Sequence, residues 1–339
     1  MNLLSLQDGR KGEHEPIETA RDWLDEFDRV TLATVVSTWG SSPVPVGGQL
    51  VVAPGDRFEG SVSGGCVEVD VISEAAEVMA TGHGKLLKFS VGDEAAWRSG
   101  LPCGGTIKIF LERLEGPSDA EYLDAILAAR RSRTALVVAT NLSTGVRRIF
   151  DTLSMMPSEL AEGMASGECR LIEAVEGEVF LHALVLPVRI IVAGATHVGQ
   201  ILADLAKRIG CDVVVVDPRS AFATQERFAG TPTLTDWPEV SFRSLGLDAR
   251  TAVVALTHAA YLDDAALGEA MRSTCLYIGA LGSKKTHAKR LERLRAAGFS
   301  DEELARIRAP VGLAIGAKGP AEIGLSILAE IVKVARGAM

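Results

Sequence analysis

The stretch "VRIIVAGATHVGQ", residues 188–200, decides the fold. A run of branched apolar residues leads into a glycine turn and then into a helical pattern, the order expected where a parallel strand feeds a covering helix. Dinucleotide-binding turns carry three glycines. The first allows a tight bend, the second lets the backbone approach a pyrophosphate, and the third lets helix and strand pack closely. Gly194 and Gly199 hold the outer two roles, and Thr196 stands where the middle glycine would be. Its β-branched side chain either keeps a phosphate at a distance or offers it a hydroxyl.

Further along, "CDVVVVD" (211–217), "TAVVAL" (251–256) and "CLYIGAL" (275–281) repeat the continuous apolar runs. Helical spacing is expected over 197–209, 262–272 and 284–297 and in "PAEIGLSILAEIVKVAR" (320–336), with an irregular segment after Asp217. The alternation predicts a Rossmann-like, doubly wound parallel sheet over residues 188–339. Residues 1–187 lack that rhythm and read as a mixed α/β domain. Helices are expected in "PIETARDWLDEFDRV" (16–30), "VEVDVISEAAEVMATG" (67–82) and 118–131. Strands are expected in "VTLATVVST", "GQLVVA", "KLLKFSV", "GGTIKIFLERL", "TALVVAT" and "VRRIF", and as a pair turning near Gly177. The connector "WGSSPVPVGG" (39–48) reads as too rich in small residues to join a core.

Forty-four acidic against 35 basic residues give a formal charge of -9, which disfavours non-specific binding to nucleic acid or an anionic membrane. No stretch approaches about 20 uninterrupted apolar residues, and the first residues lack a secretion-signal pattern. Five cysteines at wide spacing form neither a disulfide framework nor a paired zinc motif. A cytoplasmic protein without a membrane span is expected.

Candidate ligand contacts fall at loops where strands end, because open α/β sheets bind ligands at that edge. Asp217, ending its strand, is placed to accept hydrogen bonds from ribose hydroxyls. His197 opens a helix whose positive end attracts anions, and His258 lies just past another strand. Lys284 and Lys285 follow the small residues of "GALGS" in a turn suited to phosphate, or else form a solvated helix start. In the first domain, Ser63, Gly64 and Gly65 precede Cys66, and successive small residues expose amides that can form an anion-binding nest. Cys103 shares a second flexible turn with Gly104 and Gly105. A soft thiolate suits a soft metal or sulfur chemistry. Glu68 reads as a helix-start acid favoured by the dipole, and Cys169, Cys211 and Cys275 as inert packing residues.

The motifs "ATVVSTWGSSPVPVGGQLVV", "GSVSGGCVEVDVI", "PCGGTIKIFLE", "VAGATHVGQILADLAKRIGCDVVVVDPR", "YIGALGSKKTHAKR" and "APVGLAIGAKGPAEIGLSILAEIV" occur in this order along nearly the whole chain. Together they resemble the XdhC/CoxI family, maturation factors of molybdenum hydroxylases such as xanthine dehydrogenase. The resemblance implies a chaperone that binds the molybdenum cofactor, as molybdopterin or its nucleotide form, assists its sulfuration and inserts it into an apo molybdenum hydroxylase. A cysteine desulfurase is the implied sulfur donor, and a homodimer is the default assembly. Cys103 would contact the metal with Cys66 assisting, while the glycine-rich amides and the lysines hold phosphate. The family also leads one to expect an arginine near Val44, a glycine at Thr196, and aspartates at Ala259 and Ala314. A divergent NAD(P)-dependent oxidoreductase, with His197 or His258 as acid or base, is the alternative.

Overall fold

The computed structural model describes residues 15–40, 42–90, 105–151, 155–163, 168–175 and 177–337. Cys103 and Gly104 lie outside them. The chain divides into two units, Gly12–Leu186 and one made chiefly of Pro187–Met339.

The first unit begins with α1 (Pro16–Phe27) and continues through β1 (Arg29–Trp39), β2 (Gln49–Ala53), β3 (Arg57–Gly60), α2 (Glu68–Thr81), β4 (Lys85–Ser90), β5 (Thr106–Glu115) and α3 (Gly116–Arg131). These strands form an antiparallel sheet in the order β3-β2-β1-β5-β4. Side chains alternate across a strand, and here both faces are covered. Ala33, Val35, Leu50, Val52, Ile107 and Ile109 pack on one face with Val71, Ala75 and Val78 of α2. Val30, Leu32, Val51 and Ala53 pack on the other with Ile17, Ala20 and Leu24 of α1 and Leu123 and Ile126 of α3. Two buried faces explain why β1 and β2 read as continuous apolar runs rather than as alternating ones. A second antiparallel sheet joins β6 (Leu136–Asn141), β7 (Arg147–Phe150), β8 (Arg170–Ala174) and β9 (Gly177–Leu184) in the order β7-β6-β9-β8, beside the one-and-a-half-turn α4 (Ser158–Gly163).

The connector 39–48 departs from the expectation that it stays out of the core. Val44 packs against the cluster under α2, and Val46 against a small cluster with Phe110 and Phe180. The apolar Val44 is thus matched to an apolar neighbourhood, where an arginine would need a partner.

The second unit contains β10 (Arg189–Ala193), α5 (His197–Arg208), β11 (Asp212–Val216), β12 (Thr233–Leu234), α6 (Pro238–Leu245), β13 (Thr251–Ala255), α7 (Ala260–Met271), β14 (Tyr277–Ala280), α8 (Lys284–Ala296), α9 (Asp301–Ala305), β15 (Ile307–Arg308) and α10 (Gly319–Ala335). Its sheet is parallel, in the order β12-β11-β10-β13-β14-β15, so the strand sequence reverses direction between β10 and β13. Ile190, Val192, Val213, Val215 and Val254 bury one face with Leu202, Ala206, Ile327 and Ile331 of α5 and α10. Ile191, Ala193, Val214, Val253, Ala255 and Ile278 bury the other with Phe242, Ala266, Leu267 and Leu294 of α6, α7 and α8. This is the doubly wound sheet that the apolar runs predict.

The "irregular" stretch after Asp217 turns out to hold α6, which starts at Pro238 and buries Phe242. Eight residues carry too few turns for a clear 3.6-residue period. Among the described residues, no helix is long and apolar enough to cross a membrane.

Candidate functional site

The candidate residues lie on loops of both units. In the first unit, β3 ends at Gly60 and the chain passes through Ser61–Val67 before entering α2. Gly64 and Gly65 adopt left-handed φ values of 79° and 111°, open to glycine without strain. The loop thereby turns its amides inward, as a nest requires. The nest is filled by the protein itself. The Glu68 carboxylate, in the first turn of α2, accepts hydrogen bonds from the amides of Val62 (3.2 Å), Ser63 (2.9 Å), Gly64 (3.1 Å) and Gly65 (2.9 Å). It also accepts from the Ser61 hydroxyl (2.7 Å) and, at close range, from the Ser63 hydroxyl.

Burial alone raises a carboxyl's pKa, but the hydroxyls of Ser63 and Ser61 and the Ser63 amide overcome it, and Glu68 is held down at about 2. In this structure the amides of Ser63, Gly64 and Gly65 face a fixed internal carboxylate. Glu68 does more than complement the helix dipole, since it organises the entire loop. The spacing Ser61, Ser63, Gly64, Gly65, Glu68 carried the signal, because small residues ahead of a helix-start acid can fold back onto it.

Glu68 also reaches Cys66 indirectly. The Ser63 oxygen that donates to Glu68 accepts from the amides of Cys66 and Val67, each at 3.0 Å. Cys66 is half-buried, with a free thiol. Burial pushes the thiols of Cys169, Cys211 and Cys275 up, which suits packing residues. Gly105 is half-buried just before β5. Among the described residues, no group of three or more His, Cys, Asp or Glu side chains is arranged to hold a metal ion.

In the second unit, the turn after β10 keeps both outer glycine roles. A methyl group on Gly194, whose φ is 121°, would lie 2.8 Å from Thr257 Cγ2 and 2.9 Å from its amide nitrogen, so this glycine permits close approach of the β13 loop. One on Gly199 would lie 2.9 Å from the Gly194 carbonyl and 3.0 Å from Val192 Cγ1, the tight helix-to-strand contact assigned to the third glycine. Thr196 is the N-cap of α5, and its hydroxyl accepts from the Gly199 amide at 3.2 Å. A cap oxygen therefore takes an orphan helix donor, and the Thr196 amide itself donates to Gly194 at 2.8 Å.

Asp217 is fully buried and already engaged. It accepts from the Ala195 amide (2.8 Å), from the Arg219 amide (3.0 Å) and from both arms of the Arg219 guanidinium (2.9 and 2.7 Å). Burial opposes its ionisation, but the Arg219 and Ala195 hydrogen bonds hold it below the usual carboxylate range. In this structure the carboxylate ties the glycine turn to the next loop. The middle glycine position thus carries a helix cap, and the acid is held by Arg219.

His197 is exposed beside Gln200, with Nδ1 3.4 Å from Oε1. His258, also exposed, takes a left-handed φ of 60°. Thr257 next to it donates from its amide (3.1 Å) and hydroxyl (2.6 Å) to the buried Asp263. His258 and Lys285 line one cavity of about 300 Å³ beyond the ends of β13 and β14. Lys284 is exposed and does not line it. The walls add Lys289, Arg290 and Arg293, which the sequence reading missed although residues 285, 289 and 293 repeat at four-residue helical spacing. Ala259 caps α7 without a side-chain bond, and Ala314 is exposed, so neither position carries the charge expected there.

A Rossmann-type unit whose glycine turn is closed by its own side chains, in one chain with an antiparallel-sheet unit bearing a glycine-cysteine loop, defines a class distinct from ordinary dehydrogenases. Residues 190–331 match the XdhC Rossmann domain, and residues 23–90 match the XdhC and CoxI family. The chain is 30% identical over 304 residues to the molybdenum cofactor insertion chaperone PaoD of Escherichia coli, covering 89% of this chain and 82% of that one. It is 26% identical over 320 residues to a probable xanthine dehydrogenase subunit of Bacillus subtilis, covering 91% and 94%. The chain belongs to the XdhC and CoxI family. The crystal structure of a xanthine dehydrogenase from Bacillus halodurans shares its fold, with a TM-score of 0.79 at 23% identity over 96% of this chain and 97% of that one.

Proposed function

We propose that the protein binds the molybdenum cofactor as cargo and assists its insertion into a molybdenum hydroxylase of the xanthine dehydrogenase type. The observation that carries this reading is the 30% identity to a cofactor insertion chaperone over 304 residues, a span that includes both units. The donor set fits such a cargo. Molybdenum and a dithiolene are soft and suit a thiol, and the Glu68 and Ser63 hydrogen bonds hold Cys66 on a fixed loop.

In the finer part of the proposal, a cysteine desulfurase supplies sulfur and Cys103 contacts the metal while Cys66 assists. Within this reading the Glu68 network prevents Cys66 from swinging away when the cargo arrives, and Thr196 and Asp217 serve the scaffold. Purification from a molybdenum-replete host, followed by mass spectrometry of released small molecules, tests the proposal. Stoichiometric pterin that falls in Cys103→Ala and Cys66→Ala variants supports it. Protein that carries no pterin, in a strain whose hydroxylase matures equally well without it, overturns it.

A further inference from the structure

We infer that the cavity beyond β13 and β14 is a binding site for a phosphomonoester group, built around Arg290. This deepens the proposed function and rests on it only for the identity of the molecule that bears the phosphate.

Arg290 is only 2% exposed. Its Nη2 donates to the Leu281 carbonyl at 2.9 Å and lies 3.4 Å from Asp263 Oδ2. Its Nε and Nη1 are buried and have no partner among the described residues. Buried donors without acceptors are costly, and a charged guanidinium N–H is best answered by an anionic oxygen. Asp263 does not meet that need: its Oδ1 takes the amide and hydroxyl of Thr257, and its Oδ2 lies beside Nη2 rather than Nε or Nη1.

The surroundings share this preference. Lys285, Lys289 and Arg293 line the same cavity from one face of α8, and Asp263 is its one lining carboxylate among the described residues. Arg293 is braced by Asp264 at 2.5 and 3.0 Å, whereas Lys285 and Lys289 form no ion pair among the described residues. His258, which lines the same cavity, can add a donor. The cavity lies where α8 begins, and the Ser283 hydroxyl caps that helix by accepting from Thr286 at 3.1 Å. At about 300 Å³ it sits at the small end of ligand sites, roughly 300–1,000 Å³, so it suits a headgroup rather than a whole nucleotide. A dianionic phosphate answers a buried guanidinium and two nearby ammonium groups better than a single carboxylate does.

Inorganic phosphate is the probe, titrated calorimetrically into the full chain in a non-phosphate buffer with potassium chloride as the ionic-strength control. The double variant Lys285→Ala/Lys289→Ala removes exposed side chains and should keep the fold. Loss of two charge-assisted contacts is expected to weaken phosphate about tenfold or more, with unchanged circular dichroism. Arg290→Lys, which keeps the charge but not the guanidinium's several N–H donors, should weaken it as well; if this variant fails to fold, the lysine pair decides. No phosphate binding beyond the chloride control, or equal affinity in the double variant, overturns the site. Pterin content measured on the same preparations separates the two ideas. Pterin without a phosphate effect rejects the site alone, and phosphate binding without pterin rejects the cargo alone.

Discussion

Replacing Glu68 by glutamine keeps the side chain's size and removes the charge on which the Ser61–Val67 loop is folded. Glutamine offers one acceptor oxygen and sets an NH2 group against amides that now donate to a carboxylate. The fall in the Glu68 pKa from 4.5 to about 2 corresponds, at about 1.4 kcal/mol per unit, to about 3 kcal/mol in favour of the ionised, folded loop. Water at the loop's outer rim reduces this, so we expect a loss of about 2 kcal/mol at neutral pH. Because the folded pKa lies below the unfolded one, this stability is fully present above about pH 4.5 and disappears as the pH falls toward 2. Other carboxylates titrate in the same window, but they cancel in the difference between wild type and Glu68→Gln. Urea unfolding of both proteins at pH 7 and pH 3 measures that difference, and the rate of Cys66 modification by a thiol reagent reports local opening. A smaller difference at pH 3, with faster modification in the variant at pH 7, is expected. Equal stability at pH 7, or a difference that does not shrink in acid, would refute the reasoning.

Thr196→Ala removes the α5 cap and should cost about 1 kcal/mol in denaturant unfolding, while Thr196→Gly should cost only a few tenths. If the turn also contacts a ligand phosphate, the glycine variant will bind pterin more tightly; unchanged affinity assigns the turn to the scaffold. Gly194→Ala forces a methyl group against Thr257 at a φ of 121° and should destabilise the second unit by about 1–3 kcal/mol, seen as a lower midpoint of thermal unfolding. Asp217→Asn weakens the Arg219 clamp and should cost about 1–3 kcal/mol at pH 7. That loss fades as the pH drops below the carboxylate range, since the folded pKa is the lower one. Titration with millimolar NADH should leave its fluorescence unchanged; a saturable change would restore the dehydrogenase reading.

Much of the second unit was legible because its strands are buried on both sides. Residues 189–193, 212–216 and 251–255 are apolar almost throughout for that reason, and such runs alternating with helical periods fit few folds besides a covered parallel sheet. The glycine roles were legible for a similar reason: a position that admits no Cβ shows as glycine whatever its ligand. Helix α6, the two-residue strands β12 and β15 and the short β3 were not, because brief elements take their conformation from neighbours.

The sequence by itself determined which residues could bear chemistry and which family the chain resembles. It named the thiol at Cys66, the acid at Asp217 and the lysine turn at 284–285, since side-chain type and local spacing are written residue by residue. Only the tertiary structure decided what those groups are free to do. Glu68 folds back into the nest ahead of Cys66, Arg219 closes on Asp217, and Arg290 comes to lie buried beside a cavity with Lys285 and Lys289. A hydrogen-bonding group has few places to offer, and whether the protein's own atoms have filled them depends on contacts between residues brought together by folding.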